Sequence, residues 1–206
     1  MEIELKYHIG DSDVIDRIFS DEKIVAITDR NSEETIEMQA AYFDTEDRRL
    51  SREGVAFRVR REGSRIIGTL KWNGHSEDGM HEREEINVPV LDESKLTEPD
   101  VDIFRQSGMC SRLKELIGER RLIRVMEIRF LRRQIRIDTG KAICELSADS
   151  GRVFCGGKSG PISELEVELY SGSRQEMESF GAELAEKFGL EPENRSKFRQ
   201  GLELLH

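Results

Sequence analysis

Alternation of charged and apolar side chains is the dominant pattern of this chain, and it begins at the first residues. Glu2, Glu4 and Lys6 fall on one face of an extended segment, while Ile3 and Leu5 fall on the other. Because successive side chains of a strand point to opposite faces, this pattern predicts a half-buried β-strand. The segment alone leaves open whether its charged face meets water or lines a site.

The same alternation recurs along the chain and predicts about eight strands. Further strands are predicted at residues 36–43, 55–61, 65–72, 81–90, 123–138, 142–149 and 162–170, with one more candidate at 23–28. Residues 123–138 fit either a strand pair or one long bent strand. The turn signal at residues 62–64 predicts a hairpin. Residues 73–79 and 156–160 are polar or glycine-rich, and we expect loops there.

Helices are predicted near both ends of the chain and in its middle. Asp11 and Ser12 favour a helix over residues 13–19, and Ser173 with Glu176 forms a capping box for a helix that ends near Phe188. The other predicted helices cover residues 101–106, 111–117 and 191–205.

Short turns between the strands favour an α+β fold built on a closed, eight-stranded antiparallel β-barrel. Closure removes the strand edges that would otherwise be exposed. We find no internal repeat and no boundary between domains, so residues 1–206 are expected to form a single domain.

The direction of the charged faces decides what such a barrel does. If the apolar faces fill the barrel, the charges are solvated and the helices have no apolar sheet surface to cover. If the apolar faces lie beneath the helices, the charged faces line a polar tunnel. Such a tunnel must hold water, ions and a charged ligand, because unpaired buried charges cost too much. Its lining would be Glu2, Glu4, Lys6, Arg58, Arg60, Lys71, Arg83, Glu85, Arg132, Arg136, Glu145, Glu164, Glu166 and Glu168, with Asp149 as a further candidate. The alternation alone leaves both arrangements open.

Net charge and cysteine content narrow the function classes. The chain has 206 residues and a formal net charge of −10, so non-specific binding to nucleic acid or to an anionic membrane is not expected. Cys110, Cys144 and Cys155 are odd in number and lack CxxC spacing, which predicts free thiols. The sequence has no signal peptide and no apolar run of membrane length, so we expect a cytoplasmic protein.

If the charged faces point inward, their basic and acidic side chains would bind different parts of one charged ligand. Guanidinium and ammonium groups suit a polyanion, and carboxylates suit a hard divalent cation such as Mg²⁺ or Mn²⁺. A phosphate chain beside carboxylates needs a cation between them. The combination points to metal-assisted cleavage of a phosphoanhydride.

Glu2-Ile3-Glu4-Leu5-Lys6 resembles the ExExK signature of the CYTH superfamily, the triphosphate tunnel metalloenzymes. Further blocks follow in that family's order: Tyr42 to Thr45, Leu50 to Arg60, Thr69 to Lys71, His81 to Glu85, Arg132, Glu145, Pro161 to Leu169, and Ser196-Lys197. The chain is most similar to the CYTH domain of bacterial inorganic triphosphatases. The helical CHAD domain common in those proteins is not expected, because the sequence stops at His206.

This resemblance implies hydrolysis of inorganic triphosphate, and of nucleoside triphosphates as well, with Mg²⁺ or Mn²⁺ inside the tunnel. The implied metal ligands are Glu2, Glu4, Glu85, Glu145, Glu164, Glu166 and Glu168. The implied phosphate-binding residues are Lys6, Arg58, Arg60, Lys71, Arg83, Arg132 and Lys197. Glu4, Glu168 and Lys6 would carry the catalytic step, with a carboxylate positioning or deprotonating the attacking water.

Several residues have simpler interpretations. Glu164 fits a solvated strand end, and Lys197 fits an exposed helix position. His81 is expected to form a hydrogen bond in the barrel wall, because hard cations prefer oxygen ligands. Residues 156–159 (Gly-Gly-Lys-Ser) lack the GxxxxGK[ST] spacing, so we exclude a phosphate-binding loop there.

The function also has alternatives. Class IV adenylate cyclase and thiamine triphosphatase share the signature, and a polyphosphate-binding module without catalysis would use the same basic residues. The expected partner is a small triphosphate, and a homodimer is compatible with the sequence.

Overall fold

The computed structural model describes residues 1–205. Its strands are β1 (Glu2–His8), β2 (Thr28–Thr45), β3 (Ala56–Glu62), β4 (Arg65–Glu77), β5 (Met80–Pro89), β6 (Leu122–Asp138), β7 (Ala142–Cys155), β8 (Lys158–Gly172) and β9 (Glu191–Pro192). Its α-helices are α1 (Asp13–Phe19), α2 (Glu22–Ile27), α3 (Arg49–Arg52), α4 (Cys110–Ile117), α5 (Arg174–Phe188) and α6 (Lys197–Glu203). Two 3₁₀ segments, Glu93–Leu96 and Val101–Ser107, precede α4.

Eight strands close into one antiparallel barrel. The strand order is β5-β4-β3-β2-β6-β7-β8-β1, and β1 pairs back with β5 so that Glu2 lies opposite Arg83. The short strand β9 adds to β1 at its Tyr7–His8 end. The predicted closed barrel is therefore confirmed, and residues 122–138 form one long strand.

The hydrophobic core lies between the barrel wall and the helices. Leu5 and Val167 point outward into a cluster with Ile18 and Met177 of α1 and α5. A second cluster lies beneath α4 and the 3₁₀ segments, and a third lies beneath α6. Since the outward faces are the apolar ones, the charged faces point inward. Of the two arrangements that the sequence allowed, the polar tunnel is the one that forms.

The strand expected at residues 23–28 is wrong. Residues Glu22–Ile27 form helix α2, and the side chain of Asp21 accepts a hydrogen bond from the backbone N–H of Lys23 as its N-cap. Ile24 packs into the first core cluster. The capping residue Asp21 was the signal that the strand prediction missed, because a short apolar run fits a helix equally well.

The loops expected at residues 73–79 and 156–160 are also wrong in extent. β4 continues to Glu77, and Asp78 and Gly79, both with positive φ, form the turn into β5. β7 continues to Cys155, and Gly156 and Gly157 form a similar two-residue turn into β8. Two-residue hairpin turns favour positive φ. The exposed strand ends lack the alternation on which the prediction depended.

The last helix begins later than predicted. Glu191–Pro192 pair with β1, and α6 starts only at Lys197. The Ser196 side chain caps it by accepting a hydrogen bond from the N–H of Arg199. Lys197 is therefore the first helical residue, and it is carried to one end of the barrel.

Two further observations concern the whole described chain. The three cysteines are free, as predicted, and all three are buried. No helix within residues 1–205 has both the length and the apolar character needed to cross a membrane.

Gly151 lies where β6 and β7 approach each other closely, so a substitution at this position tests their packing. A Cβ atom at this position would overlap the carbonyl oxygen of Arg129 and the Cα of Phe130. Because these are backbone atoms and cannot rotate away, we expect Gly151→Ala to lower the free energy of unfolding by about 1–3 kcal/mol. Gly10→Ala, where no atom lies nearby, is the matched control. Equal stability of the two variants in urea titrations would contradict this packing.

Candidate active site

The barrel encloses a cavity of about 350 Å³, and side chains from all eight of its strands line it. The implied site residues on its wall are Glu2, Glu4, Lys6, Arg58, Arg60, Lys71, Arg83, Glu85, Arg132, Glu145, Glu166, Glu168 and Lys197. Glu164 does not line the cavity itself, but its carboxylate contacts Lys197, which does. The alternation in the sequence thus brings residues from the whole chain into one cavity.

The start of α6 closes one end of the cavity. Ser196, Lys197 and Phe198 line it, and the Phe198 ring stacks on Tyr42 with the ring centroids 5.0 Å apart. Along β8 the inward side chains run from Glu164, beside Lys197, to Tyr170, which is 54% exposed. The cavity is therefore closed at the α6 end and accessible at the Tyr170 end.

At the closed end, carboxylates and basic groups neutralise one another. The Arg132 guanidinium donates two 2.7 Å hydrogen bonds to Asp149 and a 2.6 Å bond to Glu166. Lys6 lies 3.0 Å from Glu166 and 3.6 Å from Glu164. Although burial raises the pKa of Glu166, Lys197, Lys6 and Arg132 hold that pKa well below its usual value. We call Asp149, Glu164 and Glu166 the closed-end carboxylates.

Nearer the open end, a second group of carboxylates is less completely neutralised. Lys71 donates to Glu2 at 2.6 and 2.8 Å and lies 3.2 Å from Glu85. Arg83 donates to Glu4 at 3.2 Å. Glu168 shares this region without a lysine or arginine partner among the described residues.

Glu168 carries the clearest electrostatic signature of this region. Burial raises the pKa of Glu168, and repulsion from Glu2 and Glu4 raises it further, to about 8. A divalent cation with oxygen ligands would relieve this repulsion. We call Glu2, Glu4 and Glu168 the open-end carboxylates.

Two arginines of the cavity wall have unsatisfied donors. The Nε atoms of Arg58 and Arg60 are buried and lack hydrogen-bond partners among the described residues, whereas Arg83 Nε lies 3.3 Å from Glu2. Burial and the neighbouring Arg58 lower the pKa of Arg60 to about 10, despite its ion pair with Glu62. Buried donors are nearly always satisfied in folded proteins, so these groups indicate space for an anionic ligand.

The structure decides between interpretations that the sequence left open. Glu164 is 1% exposed and Lys197 is 8% exposed, so neither is a solvated residue. His81 lies in the wall, where its Nε2–H donates to the carbonyl oxygen of Glu193 at 2.7 Å. Its Nδ1 accepts from Arg83 at 2.9 Å.

Two contributors to the closed end were missed or underrated. Asp149 is fully buried and binds both Arg132 and Lys197, although the sequence offered it only as a further candidate for the lining, without a role. Gln200 donates to Glu164 and was not predicted. Its spacing of three residues from Lys197 places both side chains on one helix face, which was the available signal.

The fold and the cavity place this protein in the class of closed antiparallel barrels with a charged interior. The chain belongs to the CYTH family, because residues 1–202 match the CYTH domain.

Known relatives and solved structures agree with this assignment. An inorganic triphosphatase of Haemophilus influenzae is 27% identical over 160 residues, which are 78% of this chain and 44% of that protein. The chain thus spans less than half the length of that curated relative.

Among solved structures, HpAC1 from Hippeastrum, studied as an adenylyl cyclase and described as having a dominant triphosphatase activity, has a TM-score of 0.72 at 19% identity. The match covers 96% of this chain and 93% of that one. A Bacillus halodurans protein assigned as an adenylate cyclase has a TM-score of 0.60 at 19% identity, with 97% and 96% covered. At these identities the likeness shows the shared fold.

His81 makes stability depend on pH. Burial lowers the pKa of His81, and Lys6 lowers it further, while Glu4 and Arg83 also face the ring. The unfolded chain, with a histidine pKa of about 6.5, binds the proton more tightly. The stability that neutral His81 provides is therefore complete above about pH 6.5 and declines as the pH falls.

We expect the wild type to lose more unfolding free energy than His81→Gln between pH 7.5 and pH 5.5. Urea titrations at several pH values measure the difference between the two proteins. A difference that stays constant over this range would contradict a neutral, buried His81.

Proposed function

We propose that this protein hydrolyses inorganic triphosphate, with Mg²⁺ or Mn²⁺ held in the charged barrel. The observation that carries the proposal is the juxtaposition of two unsatisfied groups in one cavity. The Nε donors of Arg58 and Arg60 lack partners, and Glu168 has no basic partner among the described residues and is repelled by Glu2 and Glu4. A phosphate chain with a divalent cation satisfies both.

The phosphate chain would lie against the basic side chains of β3, β4 and β5. Arg58 and Arg60 have free Nε donors, and Arg83 and Lys71 carry charge into the same cavity. Guanidinium forks match phosphate oxygens in geometry and stay charged when buried. The accessible end at Tyr170 leaves space for a substituent on the chain, so nucleoside triphosphates belong to the proposed substrate range.

The open-end carboxylates fit a hard divalent cation. Glu2, Glu4 and Glu168 supply only oxygen ligands, the type that Mg²⁺ and Mn²⁺ prefer, and Glu85 and Glu145 lie in the same wall. When bound, such a cation would neutralise phosphate oxygens and act as a Lewis acid at the phosphoryl group.

The chain's own residues would perform the remaining steps. A water molecule attacks a terminal phosphorus, the bridging P–O bond breaks, and phosphate and pyrophosphate leave. Glu168 suits the water-activating role: a cation held beside it would remove the proton that a carboxyl group with a pKa of about 8 otherwise keeps at neutral pH, and the carboxylate could then accept a proton from the water. Lys6, fixed by Glu166, Glu164 and Glu4, would stabilise the charge that develops on the phosphoryl group.

Glu4→Gln tests the carboxylate role without a change in side-chain size. Even a partner outside the metal's direct ligands is worth about 10–100-fold. We therefore expect this variant to lower kcat/KM for tripolyphosphate by more than about 100-fold. Phosphate release from tripolyphosphate and from ATP is measured with Mg²⁺, with Mn²⁺ and with EDTA. Glu186→Gln, an exposed residue of α5, is the matched control.

The other outcomes of this assay separate the alternatives. Cyclic AMP and pyrophosphate from ATP would establish a cyclase, and a strong preference for thiamine triphosphate would establish a thiamine triphosphatase. Binding of tripolyphosphate without turnover under any metal would leave a polyphosphate-binding module. Full activity in EDTA would refute the metal-assisted step.

Arg58→Lys tests the guanidinium geometry at constant charge. A charge-assisted hydrogen bond contributes about 1.5–3 kcal/mol, so losing the fork should raise KM for tripolyphosphate about tenfold or more. Arg105→Lys, in an exposed ion pair with Asp102, is the control. Steady-state kinetics in which both variants keep the wild-type KM would contradict a phosphate contact at Arg58.

A further inference from the structure

The ammonium group of Lys197 sits at the centre of the closed-end carboxylates. Its Nζ atom lies 2.7 Å from Asp149, 2.6 Å from Glu164 and 2.7 Å from Glu166. One oxygen from each of these carboxylates lies within 4.8 Å of the others, which is the spacing of a metal-binding set. The lysine nitrogen therefore occupies the position that a divalent cation would otherwise take.

The charges around Lys197 are already balanced. Arg132 contacts Asp149 and Glu166, and Lys6 contacts Glu164 and Glu166, so these two residues also neutralise the three carboxylates. Although burial lowers the pKa of Lys197, the closed-end carboxylates outweigh it and hold that pKa well above its usual value. A second cation here would have to displace an ammonium that is both buried and hydrogen-bonded.

The local backbone fixes Lys197 in this position. It is the first residue of α6, Ser196 caps the helix, and Phe198 stacks on Tyr42 of the barrel wall. Gln200, one turn later, donates to Glu164. The first turn of α6 therefore holds the ammonium group in place, because the residues that follow Lys197 contact the barrel wall and Ser196 caps the helix.

We propose that Lys197 is the resident cation of a carboxylate site formed by Asp149, Glu164 and Glu166, so that a divalent metal binds only at the open-end carboxylates. This inference rests on the proposed function for the open-end site, and it assigns Lys197 a role different from the phosphate contact that the family resemblance implies. It also removes Glu164 and Glu166 from the metal ligands.

Lys197→Met tests the proposal by removing the charge and keeping the length of the side chain. Mn²⁺ binding to the full chain is counted by isothermal titration and by the electron paramagnetic resonance signal of free Mn²⁺. No phosphate compound is present. We expect Lys197→Met to bind one Mn²⁺ more than the wild type. In Lys197→Met/Glu164→Gln, which again balances the charges, we expect the count to return to the wild-type value.

Glu164→Gln alone tests the same proposal without removing the lysine. Because Glu164 contacts Lys197 and no metal, this variant should keep the Mn²⁺ count and affinity of the wild type, whereas Glu168→Gln should lose binding at least tenfold. Lost Mn²⁺ binding in Glu164→Gln, or an unchanged count in folded Lys197→Met, would overturn the inference.

The outcomes separate this inference from the proposed function. A wild type that binds no Mn²⁺, even with tripolyphosphate added, would refute the proposed metal site, yet an extra Mn²⁺ in Lys197→Met would still support the resident ammonium. A wild type that binds Mn²⁺ normally with no gain in Lys197→Met would leave the proposed function intact and refute the resident ammonium.

Discussion

Charge neutralisation inside a closed barrel is the constraint on which the rest of this structure depends. Burying a single unpaired carboxylate or ammonium costs several kcal/mol, so each inward charge needs a partner or a ligand. Lys6, Arg132 and Lys197 provide partners for Asp149, Glu164 and Glu166. Because the interior is polar, the apolar faces must find their core outside the wall, and the helices supply it.

The carboxylates at the two ends of the cavity are not neutralised equally, and the less neutralised group marks where a ligand would bind. At the α6 end, every carboxylate of the cluster has a basic partner within hydrogen-bonding distance. Towards the open end, Glu168 repels Glu2 and Glu4, and elsewhere in the cavity wall Arg58 and Arg60 have Nε donors without partners among the described residues. The charged groups are paired at the closed end and incompletely paired towards the open end. The cavity is therefore suited to bind ions that enter from the open end.

Much of this arrangement was predictable from the sequence, because two-residue periodicity determines which side chains share a face. That rule placed Glu2, Arg58, Glu145 and Glu168 on the charged faces of their strands, whereas their inward direction was an expectation from the family resemblance. The rule says nothing about distances between strands that are far apart in the chain. The contact of Lys197 with Asp149 depends on where α6 begins, which was misplaced by six residues because the strand pairing of Glu191–Pro192 left no periodic signal.

The most direct test of the central claim is anomalous diffraction at the manganese edge, from crystals grown with Mn²⁺ and a non-hydrolysable triphosphate analogue. The uneven charge distribution predicts a manganese peak bordered by Glu2, Glu4 and Glu168, with phosphate oxygens against Arg58 and Arg60. A peak among Asp149, Glu164 and Glu166, or an analogue bound outside the barrel, would contradict it.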